Sequence, residues 1–519
     1  MDQGARLSSF GQKINLKTIN IIYIIIYLLL MSQLVFPTQL FYNTNHLDKS
    51  IPIYLIEEPR YFTDFSFHKL KLAYHRASMK KYYDMLIKKN YKVKYIECLQ
   101  VSKTWYKTLA NNTVTIIYPG DFNLKKKLEN LFKKNLVILP NPNFLIKLEE
   151  LDVIKPLIYK GSRYSHDEFY KYQRKKLNIL IDDNGKPEGG AWSFDKDNRQ
   201  ALPKNIKLPK TTSTIRLDKY KNEAIKYIEA NWPDNYGSVD SFIYPIDNKG
   251  AKTWLNKFLK ERLGNFGPYE DAVSDSEPFI YHSVLSPMMN IGLLLDTEVV
   301  EISYNYYLTH KKSIPIQSFE GFIRQIIGWR NYVYTIYLLD GEKLYESNQL
   351  KHTNKLNKKF WTGETQMVPI DSIINKIVNY AYAHHIERLM YLGNFMLICQ
   401  VDPKEVYRIF MEWSIDSYEW VMIPNVMGMS QYASSIMMTR PYFSSSNYIN
   451  KMSTYKVSTK DTWSKIWDAI YYNFIDTHQK ILRKNYAVAQ QVKHWDNKTD
   501  EEKKSIKKIA KEYLSNLFS

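Results

Sequence analysis

Between Gln33 and about Pro140 the chain alternates short apolar runs with amphipathic stretches, and that alternation limits what it can fold into. The runs QLVF, PIYLIEE, VKYIE, TVTIIYP and LVILP are separated by segments such as HKLKLAYHRASMKKYYDMLIKKN, whose apolar residues recur at helical spacing. Strands alternating with helices predict a parallel sheet joined by crossover helices. Loops at the carboxyl ends of such strands are where ligands settle, which selects Phe36-Pro37-Thr38-Gln39 and Glu57-Glu58-Pro59. From about Lys249 strand signals fade and helical periodicity runs to the end, with turns at Gly267-Pro268, Gly341, Gly363, Asp402-Pro403 and Pro424. The expected architecture is an α/β domain over 32–145, a connector over 146–248 and an all-α domain over 249–519. No internal repeat is evident.

The connector holds GKPEGGAWSFDKDNRQALP, whose Gly, Pro and Asn content argues for a long loop, and such loops are commonly functional or mobile. Before it, Arg174, Lys175 and Lys176 form either a nucleic-acid backbone contact or a solvated basic helix face. Lys and Arg outnumber Asp and Glu by 72 to 53, a net charge of +19, which suits a polyanion or an anionic membrane surface equally. Runs such as Lys125-Lys126-Lys127 read, one by one, as solvated faces.

Cys98 and Cys399 are the only cysteines. Two thiols exclude a disulfide framework, a cysteine-rich zinc site and a four-thiolate cluster, and leave a reducing compartment as the default. Ile19 to Met31 is almost wholly apolar and follows Lys13 and Lys17. The run is too short to span a bilayer comfortably, so residues 1–31 are read as a hydrophobic extension. Three roles stay open for it: a membrane contact through residues 19–31, a cleaved signal, or an upstream tail.

Chemistry concentrates between Phe360 and Met396. Trp361-Thr362-Gly363 breaks the chain, and Asp371 is expected to cap a helix bearing Ile374, Ile377, Val378, Ala381 and Tyr382. His384 and His385 follow on that helix or at its end. Adjacent helical residues point about 100° apart, so the two imidazoles cannot both face one site, and they lack the i, i+4 spacing of a helical zinc site. One is expected to serve chemistry while the other braces it.

With Trp361, Gly363, Thr365, Pro369, Asp371, His384, His385 and Arg388, the segment resembles the W-x-G-x-T…P-x-D…H-[HN]-x-x-R-[LM] hallmark of the photolyase/cryptochrome superfamily. Further blocks resemble its deoxyribodipyrimidine photolyase-related branch, the iron-sulfur bacterial cryptochromes and (6-4) photolyases. These are HKLKLAYHRASMKKY, GKPEGGAWSFDKDNRQALP, FGPYEDAV, IDSYEWVMIPNVMGMSQYA and RPYFSSSNYINKMSTY. The resemblance implies a Rossmann-like antenna domain followed by an all-α FAD-binding domain. It assigns Ser283, Leu285 and Ser286 to the FAD pyrophosphate, Arg388 paired with Asp416 to the isoalloxazine, and Met422 and Asn425 to the same pocket. His385 inherits the role of proton donor to the lesion with His384 beside it, Tyr442 and Tyr448 match lesion-pocket tyrosines, and Trp361 an electron relay. Glu57, His68 and Lys69 would hold a ribolumazine-type antenna. UV-damaged DNA is the implied partner, and a monomer is expected.

The chain departs from that branch in several places. Its four cluster cysteines fall at Pro369, Lys456, Thr459 and Lys465, so no iron-sulfur cluster is expected. Met422 stands where relatives place a polar or acidic group opposite flavin N5, and methionine cannot relay a proton. Ile409-Phe410 replaces a Trp-Tyr pair, leaving Trp413 or Trp420 as substitutes, and Ala191 replaces a lysine. The expected function is a blue-light-driven, FAD-dependent lyase repairing (6-4) photoproducts in DNA. A cryptochrome-like photoreceptor without repair activity is the alternative.

Overall fold

The computed structural model describes residues 31–211, 217–455 and 462–519. Most of the hydrophobic extension, residues 1–30, lies outside the described residues. Met31 opens the first strand instead of closing that extension.

Five strands, β1 (Met31–Val35), β2 (Ile53–Ile56), β3 (Val93–Ile96), β4 (Thr113–Ile117) and β5 (Leu136–Leu139), form one parallel sheet in the order β3-β2-β1-β4-β5. Each lies on one of the five apolar runs. Register sets Gln33 beside Ile53 and Leu34 beside Ile116, and Leu34, Ile53, Leu55, Val114 and Ile116 are buried. Central strands covered on both faces read as continuous apolar runs for this reason.

The helix Lys69–Lys88 is capped by His68, whose Nδ1 accepts from Leu70 N at 3.0 Å. It buries polar residues as well as apolar ones, because it faces the helical domain. Lys71 Nζ donates to the carbonyls of Met411 at 3.1 Å and Ser417 at 2.6 Å, and His75 Nε2 lies 2.7 Å from the Tyr418 hydroxyl. A buried lysine is tolerated only with such partners.

The connector is more structured than its composition implies, with helices Leu151–Ile158, His166–Leu177 and Lys219–Asn231. Arg174 is no phosphate contact: it is buried, donating to the carbonyls of Ile179 at 3.2 Å, Leu180 and Trp192 at 2.9 Å. Lys175 and Lys176 are exposed.

From Asn248 onward the chain is helical. The expected break at Trp361-Thr362-Gly363 is a short helix, Lys359–Thr362, ended by Gly363 at φ +69°. The following helix, Val368–Tyr380, starts three residues before the predicted cap. Asp371 lies inside its first turn and accepts from Thr365 N at 2.9 Å and Thr365 Oγ1 at 2.7 Å. Three segments, Arg324–Arg330, Glu387–Gly393 and Pro424–Ser430, are wound as π-helix. Such wide turns re-aim side chains and are frequent at functional sites. Among the described residues no helix is long and apolar enough to cross a membrane.

Candidate functional site

All three π-helical segments face one cavity of about 230 Å³ in the helical domain. Gln325, Ile326, Trp329 and Arg330 come from the first, Arg388 from the second, and Asn425 and Met429 from the third.

The floor is the HSVLSP turn. Val284 adopts φ +54°, a left-handed conformation that is costly for a β-branched residue and is held only where the surroundings impose it. The helix that follows, Ser286–Asn290, has five residues and supplies little dipole. The turn offers hydroxyls and backbone amides instead. Ser283, Leu285 and Ser286 all line the cavity.

Asp416 is fixed from three sides. Ser286 Oγ donates to its Oδ2 at 2.5 Å, Asn290 Nδ2 to its backbone carbonyl at 2.7 Å, and Arg388 Nη1 stands 2.9 Å from its Oδ1. Arg388 also donates from Nε to the Ala383 carbonyl at 2.6 Å and lies over the Tyr382 ring at 4.9 Å. Met422 and Asn425 line the cavity, together with Tyr382, Trp420 and Arg330. Three buried polar atoms on this wall, His282 Nε2, Arg330 Nη2 and Arg388 Nη2, have no hydrogen-bond partner. Unpaired buried donors are costly, and here they converge on a space that a polar ligand can fill.

The two histidines part company, as their spacing requires. The helix Val368–Tyr380 ends with Ala381 at φ +49°, and both follow it. His385 lines the cavity. His384 stacks on His282 with ring centroids 4.2 Å apart, and its Nε2 lies 3.6 Å from Glu387 Oε2. Burial, helped by the Arg388 charge, pushes His385 down to about 4. The imidazole is therefore neutral at pH 7, not poised near 6.5 as an ordinary histidine is.

A second cleft of about 500 Å³ shares its wall with the cavity through Glu270, Gln325, Trp329, His385 and Met429. Tyr442 and Tyr448 line this cleft, with Arg199, Arg440 and Lys451. Trp329 stacks on His166 at 3.8 Å. Sequence reasoning missed Trp329, Gln325, Arg330 and Glu270, and the π-helical winding of Arg324–Arg330 leaves no periodic signal that would have found the first three.

The remaining assignments are scattered. Glu57 is buried and saturated by Arg76 at 2.9 Å, Tyr95 at 2.6 Å and the Cys98 amide at 2.9 Å. His68 turns its Nε2 to the Ile377 and Val378 carbonyls at 3.0 and 3.1 Å. Both side chains are engaged by these partners, and neither they nor Lys69 line the cavity or the cleft. Trp361 lies outside the cavity, donating to Glu412 Oε2 at 3.2 Å, whereas Trp420 and Phe410 reach the site. Of the positions matching cluster cysteines, Lys456 and Thr459 lie outside the described residues; Pro369 is buried at a helix start.

The model of the deoxyribodipyrimidine photo-lyase-related protein family matches residues 33–244. A (6-4) photolyase of Agrobacterium fabrum is 32% identical over 471 residues, covering 87% of this chain and 91% of that one. Uncharacterized protein R855 of Acanthamoeba polyphaga mimivirus is 42% identical over 131 residues, 25% of this chain and 100% of its own length. Among solved structures, a bacterial class III photolyase from Agrobacterium tumefaciens superposes with a TM-score of 0.54 at 13% identity, over 98% of this chain and 99% of that one.

Proposed function

This chain belongs to the deoxyribodipyrimidine photo-lyase-related family, and on that premise we propose that it is a blue-light-driven, FAD-dependent DNA photolyase acting on (6-4) pyrimidine photoproducts. The observation that carries the reading is the shared wall. A ring held against Arg388 and Asp416 in the cavity and a base held between Tyr442 and Tyr448 in the cleft are separated only by side chains such as Trp329 and His385.

The residues present fit FAD. Ser283 and Ser286 offer hydroxyls to phosphate, and the unpaired Arg330, Arg388 and His282 nitrogens are donors for its polar edges. When bound and reduced, FAD supplies the light-excited electron that opens the lesion. Arg388 and Asp416 orient the ring, Trp420 and Met289 exclude water from it, and Met422 gives it an apolar neighbour. Enzymes that act on a base in duplex DNA take it out of the stack, at least cost where it is damaged. The cleft tyrosines receive it there, and Arg199, Arg440 and Lys451 meet the flanking phosphates.

A photoreceptor without repair activity is the second reading, favoured by Met422 at the cavity wall and Phe410 in place of a more readily oxidised aromatic. Single-turnover conversion of a (6-4) oligonucleotide by the flavin-loaded chain, lit against dark, tests the proposal. Light-dependent conversion supports it, and flavin-loaded protein that leaves the lesion intact supports the photoreceptor.

A further inference from the structure

We propose that a basic cavity of about 620 Å³, set where the α/β domain, the connector and the first long helix of the helical domain meet, binds a ribonucleoside phosphate such as ADP. Lys81 lines it from the helix Lys69–Lys88, Lys221 from Lys219–Asn231, and Lys249, Trp254 and Arg262 from the helix Asn248–Glu261 and its cap. This space meets the flavin cavity only at Ser283, and its ligand is independent of what that cavity holds.

The wall carries positive charge that the protein itself does not match. Two carboxylates face the space, and both are occupied. Asp247 accepts from Gly250 N at 2.7 Å and pairs with Lys81 Nζ at 2.6 Å, while Asp218 Oδ1 accepts from the amides of Tyr220 and Lys221 at 3.0 Å. Among the described residues no carboxylate pairs with Lys221, Lys249 or Arg262. Lys221 is buried, with Nζ donating to the Phe242 carbonyl at 3.0 Å. Arg262 Nη1 reaches only the His282 carbonyl, at 3.3 Å, and Lys249 is exposed. Arginines buried elsewhere are matched, Arg60, Arg76, Arg330 and Arg388 by carboxylates and Arg174 by carbonyls. Burial lowers Lys221 to about 8 and lowers Arg262 as well. A cation taken out of water without a counter-charge is costly, and an anion in this cavity relieves Lys221 and Arg262 together.

The rest of the wall selects which anion. Trp254, Phe279 and Ile246 give the cavity an apolar part, and the indole is fixed by donating from Nε1 to the Ser283 carbonyl at 2.8 Å. A planar base gains by stacking on such a ring. Asp218 Oδ2, 3.8 Å from Lys81 Nζ, retains acceptor capacity for a ribose hydroxyl, which is the use nucleotide sites make of an acidic side chain. Lys249 and Arg262 are charged donors for phosphate oxygens. Bare phosphate leaves the apolar wall wet, and an apolar ligand leaves the cations unmatched. The volume suits a nucleotide.

Calorimetric titration of ADP into the FAD-saturated, full-length chain tests the proposal, with adenosine and inorganic phosphate as separate titrants. One ADP should bind per chain, at least tenfold more tightly than either fragment. Lys249→Glu changes an exposed position and should weaken ADP at least fivefold with the thermal midpoint unchanged, and Arg262→Gln should weaken it tenfold or more. No ADP binding by the folded chain, a fragment that binds as tightly as ADP, or ADP affinity unchanged in Lys249→Glu each overturns the proposal. Release of bound FAD by ADP, seen by absorbance after gel filtration, places the nucleotide in the flavin cavity and overturns it too. A chain that takes up no FAD defeats the flavin reading alone, because Lys249 lines this cavity and not the other, so the same titration of wild type and Lys249→Glu still decides.

Discussion

Arg388 Nη1 lies 2.9 Å from Asp416 Oδ1, across the seam between a π-wound helix and the loop that precedes Glu419. The carboxylate is held on its other side by Ser286, so the guanidinium is pinned in one orientation with Nη2 left facing the cavity. Removing either partner strands a buried charge, which costs on the order of 3 kcal/mol. Asp416→Ala should therefore lower the thermal midpoint and weaken FAD binding at least tenfold, read by flavin fluorescence quenching. Asp416→Asn, which keeps a hydrogen-bonding shape, should lose less on both counts.

Lys71 should influence the same site without touching it. Its Nζ ties the α/β domain to the carbonyls of Met411 and of Ser417, the latter next to Asp416 in the chain. Lys71→Met leaves those carbonyls unpaired, at roughly 1–3 kcal/mol for a buried group. The expected result is weaker FAD binding together with a lower midpoint, and added FAD should recover part of the lost stability.

Acid should unfold the protein early. Burial lowers His68 and His385 to about 4 and His75 and His166 to about 3. Below about 6.5 the unfolded chain takes up protons that the folded chain refuses, so stability falls as pH drops from 6.5 toward 4. Each histidine contributes on the order of 1 kcal/mol per pH unit in that window. Glu270 acts from the other side: its raised value means stability is lost as pH rises from about 4.5 to about 8. Thermal midpoints measured from pH 5 to pH 9 check both limbs, and His166→Phe should flatten the acid one.

DNA affinity should divide by contact type. Arg440 is exposed beside the cleft, so Arg440→Ala should weaken binding of damaged and undamaged duplex alike and reduce the logarithmic salt slope by about 1. Tyr442→Ala should cost affinity for lesion-bearing DNA selectively, by about 1–3 kcal/mol if a base stacks there. Fluorescence anisotropy across a salt series separates the two.

The sheet was legible because each strand falls on a short, largely apolar run bounded by helical or turn-rich segments, and Arg388 with Asp416 because their motif places them. Other features were not. The π-helical turns leave apolar spacing almost unchanged, so nothing in the sequence announces that Gln325, Trp329 and Arg330 join Arg388 and Asn425. Helix starts misled at Asp371, where Pro369 in the first turn fixes the entry and the aspartate serves Thr365 instead. Arg174, read as a backbone contact or a solvated face, and Glu57, assigned to the antenna pocket, are both buried, since carbonyls in one case and Arg76 in the other satisfy them.

The most direct measurement is repair of two synthetic oligonucleotides, one with a (6-4) photoproduct and one with a cyclobutane dimer, by reduced, FAD-loaded protein in blue light and in the dark. The account predicts light-dependent restoration of the (6-4) substrate and little of the other. Equal inertness toward both lesions by protein that holds reduced FAD would contradict it.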